Sequence, residues 1–120
     1  MKNQSASKAI LNSKDPAAAY WYARYVIKGR WDEGEPTIAT DAAHAYEYAL
    51  EILHGRFAEG EQAIAKSPWY AYLYALEVIK GRWKKAEPTI ATSPRTAYQY
   101  AGDVLGLNEN QAKAWGRNKG

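Results

Sequence analysis

The sequence predicts an all-α fold, a short α-solenoid of tandem helix-turn-helix repeats. Three observations predict it. One phrase of 26 residues is written four times, starting at Asp15, Asp41, Ser67 and Ser93. Each copy opens on a helix-capping residue and continues with apolar residues at helical spacing. Gly29, Gly55 and Gly81 close the first run of the first three copies at the same interval. A unit this small buries its apolar face only against its neighbours, so a fixed period of this size marks a repeat architecture.

The chain is expected to form one domain over 1–120, with an N-terminal cap at 1–14, full repeats at 15–40, 41–66 and 67–92, and a degenerate closing repeat at 93–120. Residues 6–14 (ASKAILNSK) resemble an unpaired second helix, with Ile10 and Leu11 covering the first repeat. In each repeat a first helix starts after Asp15, Asp41, Ser67 or Ser93, whose side-chain oxygens accept from free N–H groups of the first turn. Pro16, Pro68 and Pro94 follow, where a missing N–H costs nothing. Gly29, Gly55 and Gly81 are the expected left-handed residues at its end.

A shorter second helix is expected at 32–40, 58–66 and 84–92. Glu33, Glu35, Glu59 and Glu61 lie near its positive end. Pro36 and Pro88 remove an N–H from its first turn and point to a 3₁₀ start. In the closing repeat, ENQAKAWGRNKG reads as a more polar helix anchored by Trp115, with 117–120 frayed.

On a wheel of about 100° per residue, the positions shared by all copies fall within an arc of about 160°. They are the series starting at Ala19, Tyr20, Tyr22, Ala23, Val26 and Ile27. The series starting at Ala17, Ala18, Trp21, Arg24, Tyr25 and Lys28 varies between copies and fills the opposite side. The shared arc is therefore the expected packing surface.

The phrase SPWYAYLYALEVIKGRW followed by AEPTIATSP resembles a tandem α-helical repeat of bacteriophage and prokaryotic proteins, with units of the type SPxxAYxYAxxVIxGRWxEAE. The resemblance covers residues 15–101, and Ala42 and Gln62 depart from it where the pattern has proline. It implies a helical array encoded by a phage or mobile element, and it carries no activity.

Composition narrows the function classes. Cysteine is absent, which excludes disulfides, thiolate nucleophiles and Cys-based zinc sites and fits a reducing compartment. The N-terminal stretch lacks the apolar core of a signal peptide, and no segment approaches the roughly 20 apolar residues of a membrane span. A cytoplasmic protein without membrane contact is expected. The net charge is +3, but residues 15–66 are net acidic while both ends are basic. A protein that follows a phosphate backbone needs one continuous basic stripe, so this layout argues against nucleic acid.

No nucleophile elbow, phosphate loop, zinc-protease helix or dinucleotide glycine pattern occurs. The expectation is a non-catalytic protein with no cofactor and no metal. His44 and His54 are about 15 Å apart by helical rise, too far to share an ion, and are expected on the solvated surface. The recurring tyrosines are expected to pack in and near the core. Arg30, Arg56 and Arg82 are expected to pair with Glu35, Glu61 and Glu87 rather than to bind anions.

What remains is apolar side chains on the variable face. Trp21, Tyr25, Trp69, Tyr70 and Leu73, with Arg24 and Lys28 as a basic rim, form the expected contact face for a protein partner. Two alternatives accompany that reading. A second copy of the chain would use the same face, and a nucleic acid would use Arg24, Lys28, Lys80, Arg82, Lys84 and Lys85 with tryptophan stacking.

Overall fold

The computed structural model describes residues 4–118, and these are helical with no strand. They fall into two compact units, residues 1–63 and 64–120. The expected fraying at 117–120 lies partly outside the described residues. Arg117 and Asn118 belong to a 3₁₀ turn, Gly116–Asn118. Among the described residues no helix is long and apolar enough to cross a membrane.

The first unit opens with α1 (Gln4–Ser13), on which Ile10 and Leu11 are half-buried. Helix α2 (Pro16–Trp21) runs on without a break into a π-helical stretch, Tyr22–Ile27. A 3₁₀ turn (Asp32–Gly34) leads into α3 (Glu35–Ile38). Helix α4 (Ala42–Glu47) again continues as a π-helix, Tyr48–Leu53, and α5 (Ala58–Ile64) reaches the start of the second unit.

The second unit repeats the order. Helix α6 (Pro68–Tyr74) is extended by a π-helical Ala75–Ile79, and a 3₁₀ turn (Lys84–Ala86) precedes α7 (Glu87–Ile90). Helix α8 (Pro94–Asp103) stays α-helical, and α9 (Glu109–Trp115) follows.

All four expected caps form. Asp15 accepts from the Ala17 N–H at 3.0 Å and Asp41 from the His44 N–H at 3.0 Å. Ser67 accepts from Tyr70 at 3.4 Å and Ser93 from Thr96 at 3.5 Å. The prolines act as expected too. Where Pro36 and Pro88 stand, the second helix begins as a 3₁₀ turn. Where Gln62 restores the N–H, α5 is α-helical from its first residue.

Two expectations fail for one reason. The first helices of the first three copies end wide, with Lys28 N–H bonding to the Ala23 carbonyl five residues back. Gly29, Gly55 and Gly81 then reach six residues back, to Ala23, Ala49 and Ala75. The left-handed residue is consequently not the glycine but the one before it: Lys28 (φ 61°), His54 (φ 54°) and Lys80 (φ 62°). In the fourth copy Gly106 (φ 73°) holds that place, and Leu107 makes the same closing bond to Ala101. A wider turn also advances each residue by less than 100°. Val26, placed on the buried arc by the regular wheel, is 40% exposed.

Most of the alanines and tyrosines of the shared arc form the core. Ala19, Tyr22, Ala23, Ala45, Tyr48 and Ala49 are buried in the first unit, and Ala71, Tyr74, Ala75, Tyr100 and Ala101 in the second. Tyr22, Tyr48, Tyr74 and Tyr100 each lie against an aromatic ring that follows in the chain. Tyr22 meets Trp31 and Tyr48 meets Phe57, both with centroids 4.9 Å apart. Tyr74 meets Trp83 at 5.0 Å. In the last copy no ring stands in the loop, and Trp115 reaches back from the end of α9 to Tyr100 at 5.2 Å.

Candidate functional site

The best-defined polar arrangement is buried and is seen in both units. In the first, Glu35 on α3 is 5% exposed. Its carboxylate accepts from Arg30 Nη2 at 3.2 Å and from the Tyr48 hydroxyl at 2.7 Å, while Arg30 Nε donates to Asp32 at 2.9 Å. The same hydroxyl accepts from the Trp31 N–H at 2.9 Å. In the second, Glu87 accepts from Arg82 at 2.7 Å and from Tyr100 at 2.7 Å, while Tyr100 accepts from the Trp83 N–H at 2.9 Å. Burial first, and donation to a carboxylate with it, push both phenols above the usual tyrosine range.

These joints satisfy their own groups. They tie the short α3 and α7, four residues each, to the following long helix. A helix of one turn has no stability of its own, so this cross-link and the burial of Ile38 and Ile90 hold it. The expected Arg–Glu pairs therefore form, but with a third member, the tyrosine, that charge pairing in the sequence did not reveal.

The outer surface carries the apolar residues singled out from the sequence. In the first unit Trp21 is 55% and Tyr25 54% exposed, with rings 5.9 Å apart and tilted by 45°. Arg24 is half-buried, not a free rim charge. Its guanidinium lies 5.4 Å from the Tyr25 ring centre, donates to the Tyr20 hydroxyl at 2.6 Å and pairs with Glu51 at 3.7 Å. Lys28 is exposed on its left-handed residue. The arrangement offers two aromatic rings with a fixed cation over one of them, Tyr25.

In the second unit Trp69 is 44% exposed and lies 5.4 Å from the Tyr72 ring. Tyr70 and Leu73 are half-buried and contribute less surface than their wheel positions suggest. The seven residues thus separate: Trp21, Arg24 and Tyr25 gather on the first unit with Lys28 close in sequence, and Trp69, Tyr70 and Leu73 belong to the second.

The chain matches no known protein family, no curated protein and no solved structure. What the surface does must come from its own chemistry. His44 is one correction to that chemistry. It is half-buried and held rather than free on the surface: its Nδ1 sits 2.6 Å from the Asp41 carboxylate and its ring 5.9 Å from Tyr20. Burial raises the Asp41 carboxyl, but the backbone N–H and ring of His44 outweigh it and hold the group below its usual range. Among the described residues no three His, Asp or Glu side chains gather around one ion position.

Tyr98 is the residue that sequence reasoning missed. It belongs to the series of Tyr20, Tyr46 and Tyr72, which are 8%, 7% and 4% exposed, yet it is 41% exposed itself. The signal was available: it stands in the last copy, with no further copy of the phrase to follow it among these residues.

Proposed function

We propose that the chain is a non-catalytic protein-binding repeat scaffold, in which tandem helix pairs stack as a short α-solenoid and present their variable face to a partner protein. The observation that carries this reading is the exposed pair Trp21 and Tyr25 with Arg24 fixed against it. Tryptophan, tyrosine and arginine are the side chains that most often dominate binding at protein interfaces. The half-exposed Trp69 offers a second anchor of the same kind. The resemblance of the repeats to those of phage proteins supports a phage-encoded origin. In that setting the partner is a host defence or regulatory protein that the chain blocks in the host cytoplasm.

The test is affinity capture from the native host with the wild-type chain, Trp21→Ala, Tyr25→Ala and Trp69→Ala, each checked for unchanged helical content and melting. A specific partner is expected, weakened by about 30-fold or more in Trp21→Ala, the effect of losing about 2 kcal/mol at a binding anchor. Capture that is indifferent to all three substitutions overturns the reading.

A further inference from the structure

A groove of about 660 Å³ lies in the second unit, between α8 and the end of α9. Pro94, Ala97 and Tyr98 line its floor, and Arg95, Lys113 and Arg117 stand around it. Among the described residues no acidic side chain lines it. The small residues matter: Gly116 comes so close to Ala97 that an added Cβ would sit 3.0 Å from the Ala97 methyl. Two helices pressed together this way leave a trough beside them.

The chain itself shows what such a trough takes. Tyr20 is the counterpart of Tyr98 in the first copy, and the next long helix, α4 with its π-helical continuation, covers it. The acidic residue ten past the cap of that helix, Glu51, reaches Arg24, which donates to the Tyr20 hydroxyl. Tyr72 is the counterpart in the third copy, and the acidic residue at the same place on α8, Asp103, accepts its hydroxyl directly at 2.5 Å. Burial first, and this bond second, push the Tyr72 phenol up to about 12. In both cases a helix with an alanine-tyrosine inner face brings a carboxylate to the neighbourhood of the tyrosine, through Arg24 in the first and directly in the second.

We propose that the groove around Tyr98 binds an acidic amphipathic helix of another protein, seated as α4 is seated on Tyr20, with a carboxylate facing the Tyr98 hydroxyl. Arg95 and Arg117 favour a negatively charged occupant over a neutral one, while Lys113 is paired with Glu109 at 3.3 Å. The mode is helix-in-groove recognition. This surface shares no residue with the Trp21 face, so its test does not need Trp21.

The experiment uses the full chain and a synthetic peptide of residues 41–53, stapled to keep it helical, because so short a helix is marginal alone. Amide and side-chain NMR shifts are followed as peptide is added to millimolar concentration. Shifts are expected to concentrate at Tyr98, Ala97 and Gly116. Tyr98→Ala and Arg95→Glu are each expected to weaken binding by about ten-fold, as is a peptide with Glu51→Gln. Absence of shifts at Tyr98 with a peptide verified as helical overturns the proposal, as does binding unaffected by Arg95→Glu. Concentration-dependent self-association that Tyr98→Glu abolishes overturns it too, since a second copy would then be the occupant.

Discussion

The two units handle the same sequence phrase alike on the inside and differently on the outside. Inside, Arg30, Glu35, Tyr48 and Trp31 in the first unit match Arg82, Glu87, Tyr100 and Trp83 in the second, with tyrosine–carboxylate distances of 2.7 Å in both. Outside, the first unit shows Trp21 and Tyr25 with Arg24 pinned over Tyr25, and the second shows a basic groove around Tyr98. A buried polar group without partners costs roughly 1–3 kcal/mol, so positions that complete such a group cannot drift one at a time. Positions facing solvent carry no such penalty, and there the copies diverge.

The comparison breaks most visibly at two tyrosines of α8. Tyr100 is fully buried and Tyr98, two residues earlier, is 41% exposed. Tyr100→Ala is expected to cost about 3–5 kcal/mol in urea unfolding, the range for emptying an aromatic site in a core. Tyr98→Ala should stay within about 0.5 kcal/mol, as surface substitutions do. Equal losses would mean that the inside–outside division is misplaced.

A finer probe compares the units directly. Tyr48→Phe and Tyr100→Phe each strand a buried backbone N–H, that of Trp31 or Trp83, and remove a donor from a buried carboxylate. Each is expected to cost about 1–3 kcal/mol, with the two values alike. A large loss in one unit and none in the other would show that the matching geometry does not carry matching energy.

Alkaline titration sharpens the same point. The folded chain holds Tyr72 up to about 12, and Tyr48 and Tyr100 are also raised above the ordinary value of 10.0. A raised phenol stabilises the fold fully below the unfolded value and loses that contribution as pH climbs through the folded one. Stability should therefore hold steady up to pH 10 in this respect and fall above it. Absorbance of tyrosinate, followed with urea unfolding from pH 9 to 12, checks the window. Tyr100→Phe should shallow the fall, and a fall of undiminished steepness would remove Tyr100 from the explanation.

The smallest effect is at the left-handed residues. Lys80 (φ 62°) occupies the position that Gly106 (φ 73°) holds in the last copy. Lys80→Gly is expected to stabilise by up to about 1 kcal/mol, since a side chain with a Cβ is strained there. A melting temperature that falls instead would assign the lysine side chain a stabilising contact.

Much of this was legible in the sequence, and the misses have physical causes. The caps at Asp15, Asp41, Ser67 and Ser93 and the proline-dependent 3₁₀ starts rest on local chemistry, which a sequence displays. The Arg–Glu pairs lie five residues apart and were legible for the same reason. The joint of Tyr48 with Glu35 spans 13 residues and two elements, so only folding brings it together. The π-helical endings are a choice of hydrogen-bond register that leaves no mark in composition, and they moved the left-handed residue from Gly29 to Lys28 and turned Val26 outward. Of the candidate face, Trp21, Tyr25 and Trp69 are as exposed as the wheel implied, whereas Arg24 is held by Tyr20 and Glu51.

Hydrogen exchange at the Trp31 and Trp83 backbone amides tests the tyrosine joint at its centre. Both amides donate to a buried phenol, so they should exchange only on global unfolding. Protection should vanish at Trp31 alone in Tyr48→Phe and at Trp83 alone in Tyr100→Phe. Exchange at both sites as rapid as that of open loop amides in the wild-type chain would contradict the account.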